Sequence, residues 1–285
     1  KLLVLSKYDK SEFVKVLLAM NYGGEGSTIE EIINAENKKV RSIIDDITPK
    51  KEDTDLFYLV NDVQNIKVLY KIKKYNLDKY DLLNNSGSLD IENLKEAIIN
   101  NNYDLVSKKV KQLIERINAK IENVENPKLL SSIIDQEIYK FALSKTSNKI
   151  LKKYLIAKID ITNVISMIRA ENLKWQKEAY FEMFIEGGLI KKEVFEGIYS
   201  KDNTVKAKYL SEYYEEKISR ILVSNVSFNR IEIVFDRLLI ELMSLDKDEP
   251  LDIGPMIHYY LLKQAEAQNI RILYSTTKVE LKDLI

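Results

Sequence analysis

Apolar residues recur along this chain at helical spacing, and one stretch shows the pattern best. Tyr154 to Leu173 carries Ile156, Ile159, Val164, Met167 and Ile168 close to a helical period, with one hitch near Asp160. Asp160 and Asn163 form an Asp-x-x-Asn element inside it, and Arg169 follows. The same register stands upstream in Phe57 to Tyr75, as Asp62, Asn65 and Lys71. A looser third copy begins at Asp252 and runs through Pro255 and His258 to Tyr259, Tyr260 and Lys263. The three copies lie at intervals of roughly a hundred residues, and a fixed period of this kind points to a repeated architecture.

Flanking blocks extend the repeat. Asn85 to Leu89 follows the first copy and Glu186-Gly187-Gly188-Leu189 the second, each leading into a short amphipathic stretch. Ile134-Asp135 to Tyr139 precedes the second copy, and Val234-Phe235-Asp236-Arg237-Leu238 precedes the third. Three helical modules are therefore expected, at residues 1–100 (truncated at its front), 101–200 and 201–285, within one compact unit.

The remaining elements follow from local signals. A short helix is expected over Glu12 to Met20 and a long one from Thr28, where Glu31 completes a capping box. The long helix carries a stripe of Ile29, Ile32, Ile33, Val40, Ile43, Ile44 and Ile47, and should stop before Pro49. Asp53, Thr54 and Asp55 are placed to cap the next helix, and Ser88 or Asp90 a short one. Tyr103 to Asn123 predicts a helix with Leu105, Val106, Val110, Leu113, Ile114, Ile117 and Ile121 on one face. Asn126-Pro127 marks a turn between modules, followed by helices at Lys128 to Leu143 and Ser147 to Asn172. Further helices are expected from Lys192, from Val205, over Ser227 to Leu245, from Asp248-Glu249-Pro250, and over Lys278 to Ile285. Arg271 to Tyr274 reads as a short strand or extended segment.

Composition narrows the function. The 285 residues are 45% hydrophobic, with 44 basic and 44 acidic side chains. That balance gives no electrostatic footing for nucleic acid, which is bound through an excess of Lys and Arg. No cysteine is present, so neither a disulfide framework nor a Cys-based zinc site is expected. No apolar run is long enough to span a bilayer, and no signal peptide is visible. The chain opens on Lys1 and its first Met is Met20, so a natural start upstream is expected.

Candidate chemistry is scarce. Gly23-Gly24-Glu25-Gly26-Ser27-Thr28 lacks the Gly-Lys-Ser/Thr of a phosphate loop, and a loop with a helix cap accounts for it. His258 is the only histidine and cannot supply a zinc-ligand cluster. Asp45, Asp46, Asp53 and Asp55 invite an all-α enzyme holding magnesium, but caps and solvated faces explain them. Trp175, the single tryptophan, is expected to anchor modules. No nucleophile has a base beside it in readable spacing. No catalytic residue, metal ligand or cofactor is expected. Asp62 and Asp160 are expected to serve structure, bonding backbone at a helix junction or kink.

Together these blocks resemble the C subunit of the prokaryotic V/A-type rotary ATPases, a family similar to the d subunit of the vacuolar ATPase. The carriers are Asp62, Asn65 and Lys71; Asp160, Asn163 and Arg169; Asp135 through Tyr139; Asp236 within Phe235 to Leu238; and the block from Pro255 through Tyr259-Tyr260-Leu261 to Glu266, Asn269, Ile270 and Arg271. The family begins with a further helix that this chain enters only partway, near Leu2-Leu3. The resemblance implies an all-α, funnel-shaped protein with three modules about a pseudo-threefold axis. It implies a non-catalytic adaptor, one copy per complex, between the central-stalk subunits (D and F type) and the membrane c ring. Such an adaptor passes torque for proton or sodium transport and is cytoplasmic, peripheral to the membrane, without inserting. The rival expectations are a generic helical-repeat scaffold for another protein partner and the metal-dependent enzyme above.

Overall fold

A computed structural model describes residues 5, 8–48, 50–83, 89–224, 226–227, 230–245, 252–275 and 283–285. Among them there is no strand, and the fold is all-α. Fourteen α-helices run in chain order: α1 (Lys10–Ala19), α2 (Ile29–Ile47), α3 (Lys51–Asn61), α4 (Val63–Tyr75), α5 (Ile91–Ile98), α6 (Lys108–Ile121), α7 (Pro127–Lys145), α8 (Lys149–Asn172), α9 (Lys177–Phe181), α10 (Lys192–Ile198), α11 (Asn203–Leu210), α12 (Lys217–Val223), α13 (Ile231–Ser244) and α14 (Gly254–Ser275). None is long and apolar enough to cross a membrane.

Packing divides the chain into two units, Lys1–Thr54 with Asn229–Ile285, and Asp55–Phe228. In the first, α14 packs on α2 and α13. Its core joins Phe13, Leu17, Ile29, Ile32 and Ile33 to Ala267, Ile270, Leu273 and Leu284. Residues far apart in sequence thus meet in one core. In the second unit α4 packs on α5 and α7, and α7 also packs on α6 and α8.

Capping follows the sequence closely. Thr28 accepts from the Glu31 amide while Glu31 reaches back to the Thr28 amide, which satisfies two donors at the start of α2. Asp90, Ser107, Asn126, Asn148 and Asp202 each accept from an amide in the first turn of the helix that follows. Asn126-Pro127 is therefore a helix start, with proline at the first position, where its missing N–H costs nothing.

Other expectations needed correction. α3 opens at Lys51, so Asp53, Thr54 and Asp55 lie inside it and not ahead of it. α6 begins at Lys108 behind Ser107, which leaves Leu105 before the helix and exposed. Ile43 and Ile47 are exposed, so the buried stripe of α2 is narrower than its apolar stripe. Arg271 to Tyr274 is helical, the last turns of α14. Burial of Ile270 and Leu273 in the core overrides the strand preference of Ile and Tyr there. Pro49, Ser88 and Asp248 to Pro250 lie outside the described residues. So does most of Lys278 to Ile285, whose described end, Asp283–Ile285, is not α-helical.

The long helices have an unusual burial pattern. In the first half of α8 the buried residues are Leu151, Tyr154, Leu155, Ala157 and Ile159. In the second half they are Asp160, Ile161, Asn163, Val164, Met167 and Ala170. At ~100° per residue the second set faces the opposite side of the helix from the first. The helix crosses from one packing layer to another, and Asp160 stands at the crossing. α14 changes side in the same way, from Met256, Ile257 and Tyr260 to Ala265, Asn269 and Leu273. α3 and α4 meet at Asp62, just after a last turn of α3, Leu56 to Val60, that is buried on every side.

Candidate functional site

The Asp-x-x-Asn elements lie at the crossing in α8 and at the meeting of α3 and α4. Asp62 and Asp160 are 0% exposed, and Asn65 and Asn163 1%. A carboxylate so placed needs several donors, since burying a charge without them costs several kcal/mol. Asp160 has three. The Leu189 amide donates to Oδ2 at 2.8 Å, the Ile190 amide to Oδ1 at 3.2 Å and the Tyr214 hydroxyl to Oδ2 at 2.5 Å. Burial pushes the Asp160 carboxyl up to about 6, against these donors and the nearby Lys191 charge. Three residues on, the Asn163 side chain closes a two-bond ring with the backbone of Ile185. It donates to the Ile185 carbonyl at 2.8 Å and accepts from the Ile185 amide at 3.0 Å. Tyr180 donates to the Asn163 carbonyl at 3.1 Å. One turn of α8 thus clamps the loop from Ile185 to Ile190.

The first copy repeats the geometry. The Leu89 amide donates to Asp62 Oδ2 at 2.9 Å, as Leu189 does to Asp160. α4 and α8 also end alike, in left-handed residues at the same distance from the acid, Asn76 (φ 49°) and Lys174 (φ 55°).

The third copy has a different register from the one expected. Asp252 precedes α14 and accepts from the adjacent Ile253 amide. The clamp lies further on, in Glu266-Ala-Gln-Asn269. Asn269 donates to the Ile285 carbonyl at 3.0 Å and accepts from the Ile285 amide at 2.6 Å, the same two-bond ring as Asn163 with Ile185. Glu266 takes the acid's place in the spacing and accepts from Lys263 at 2.8 Å. A Glu/Asp-x-x-Asn search, in place of Asp-x-x-Asn, finds this copy in the sequence. Asn163→Ala and Asn269→Ala should each lower unfolding free energy by about 2 kcal/mol, since each orphans a backbone N–H and C=O. Urea unfolding checks this, and a silent Asn269→Ala would refute the third register.

The other singled-out residues are dispersed. Asp135 on α7 meets Lys67 at 2.6 Å, with Lys71 also close enough to act on its charge. Burial raises the Asp135 carboxyl, and burial with the Lys67 charge lowers Lys71. Arg169 is exposed in the last turn of α8. Asp236 is half-buried on α13, Tyr259 and His258 are half-buried on α14, and Tyr260 is buried there. Asp45 pairs with Arg41 at 2.9 Å. Among the described residues no three His, Cys, Asp or Glu side chains converge as metal ligands. Trp175 is half-buried under Lys128, whose ammonium lies 3.9 Å from the ring centre. The Gly23 amide donates to Glu36, so a carboxylate occupies the turn that resembled a phosphate loop.

What the clamps can do is positional. Asp62, Asp160, Asn163 and Asn269 are buried and hold loop backbone, so they fix loops to helices.

The whole chain has known counterparts. The family model for the ATP synthase (C/AC39) subunit matches residues 5–282. The C subunit of the A-type ATP synthase of Methanosarcina mazei is 23% identical over 286 residues, covering 93% of this chain and 77% of that protein. Its counterpart in Methanosarcina barkeri is 24% identical over 290 residues, with the same coverage. With every described α-helix inside that match, the chain belongs to the ATP synthase (C/AC39) subunit family.

Proposed function

We propose that this chain is a non-catalytic adaptor of a V/A-type rotary ATPase, joining the central stalk to the membrane c ring and passing torque between them. The observation that carries this is the family match along residues 5–282, with relatives that are C subunits of A-type ATP synthases. The buried clamps support it, because a part that transmits torque must not shear internally. A loop tied to its helix through a buried carboxylate and a two-bond amide ring resists sliding better than apolar contact alone, which has no direction. The even charge favours attachment through shape and several separate contacts over a single-signed surface. Stalk subunits and ring are accordingly its proposed partners, with the chain held at the membrane by them.

The test is reconstitution of the ATPase with and without the chain, following ATP turnover and ion uptake together. Omission should leave hydrolysis by the detached head intact and abolish ion uptake driven by it. ATP hydrolysis by the purified chain alone, or ion uptake in its absence, would overturn the proposal.

A further inference from the structure

The segment joining α11 to α12 holds three consecutive non-glycine residues in the left-handed region. Tyr214, Glu215 and Glu216 have φ of 53°, 52° and 63°. L-residues adopt that region at a cost, and runs of it are rare because Cβ crowds the following carbonyl. Such a run persists only where its surroundings hold it. Here the holding contact is visible. The Tyr214 hydroxyl donates to Asp160 Oδ2 at 2.5 Å, a short charge-assisted bond to a buried acid on α8. The same oxygen takes the Leu189 amide, so α8, the clamped loop and the turn meet at one atom. Lys217 pairs with Glu215 at 3.2 Å and Arg220 with Glu216 at 3.4 Å, but both acids are exposed, where such pairs hold little. α11 and α12 pack side by side, with the Ser219 hydroxyl on the Ala207 carbonyl at 2.7 Å.

We propose that the turn Tyr214–Glu216 is a strained latch: Tyr214, seated on Asp160, holds the α11–α12 hairpin closed, and its release lets the three residues leave the left-handed region so that the hairpin opens as a unit. The cost of three left-handed residues is at least as large as the return from one charge-assisted bond. The hairpin keeps a further tie to α8, from Lys206 to Glu171 at 2.6 Å, and the strain of the turn works against both. The latch lies wholly within unit Asp55–Phe228.

The experiment is amide hydrogen exchange on the full chain, comparing wild type, Tyr214→Phe, and Tyr214→Phe carrying Glu215→Gly and Glu216→Gly. Tyr214→Phe should speed exchange of the amides of 203–223 by about tenfold, with those of α7 unchanged, because local opening exposes only its own segment. The two glycines, free to adopt positive φ, should recover most of the lost protection. Unchanged exchange in 203–223 overturns the proposal. So does an equal rise throughout the unit, which marks general destabilisation. Failure of the glycines to restore protection shows that strain is not what opens the hairpin, and also overturns it.

Discussion

Replacing Asp160 by alanine is expected to lower unfolding free energy by about 4 kcal/mol, among the largest effects available at any polar residue of this chain. The Leu189 and Ile190 amides and the Tyr214 hydroxyl would all lose their acceptor. Asp160→Asn keeps the shape and one acceptor oxygen, so it should cost less than alanine. The pair also carries a pH signature. The Asp160 carboxyl stands at about 6 in the folded chain, against an ordinary value of 3.8, because burial outweighs its donors. The folded state therefore holds a proton that the unfolded chain releases between those values. The resulting stability is complete below the lower value and lost as pH rises through the upper one. Moving from pH 7.5 to pH 5 should favour wild type over Asp160→Asn by about 1.4 kcal/mol, the equivalent of one pKa unit. Urea unfolding of both proteins at the two pH values measures this. An identical pH dependence would show that Asp160 keeps its ordinary pKa.

Gly188→Ala is expected to approach that loss by a different route. A Cβ at Gly188 would overlap Asp160 Oδ1, and the carboxyl cannot retreat while Leu189 and Tyr214 hold its other oxygen. Overpacking at a fixed site costs about 3 kcal/mol. The cause can be isolated. In an Asp160→Ala background the colliding oxygen is absent, so adding Gly188→Ala should cost under about 1 kcal/mol. Equal costs in the two backgrounds would place the clash elsewhere. Gly187, beside it, is needed for another reason, a φ of 108° that other residues rarely adopt.

The helices are legible in the sequence because their apolar periods and caps are local. Thr28 with Glu31, and Asn126 with Pro127, can be read without a partner in view. The Asp-x-x-Asn elements are legible as polar interruptions of an apolar period. The hitch near Asp160 is the change of buried side in α8, visible as broken periodicity and explained only once both packing layers are known. The expectation for Asp160 was a bond to nearby backbone. Asp160 and Asn163 instead reach a loop more than twenty residues on, a distance that no local signal encodes. The third copy hides because Glu266 replaces the aspartate, while Asp252 offers a matching letter at a near-matching interval. Tyr214 gives no signal at all, since its partner lies on another helix and a tyrosine in a charged turn looks ordinary in sequence.

The clamps also bear on how such a fold tolerates divergence. Each is a side chain gripping main chain: Asp62 on the Leu89 amide, Asp160 on those of Leu189 and Ile190, Asn163 on Ile185, Asn269 on Ile285. Main-chain atoms are common to all residues, so the grip asks nothing of the loop's own side chains. Leu189 is 51% exposed while its amide is held. The demand is one-sided, strict on a few helix positions and on the glycine beneath them, and loose on the loop. A lineage under this rule can rewrite most of its letters and keep its joints, which suits relatives that share under a quarter of their residues with this chain.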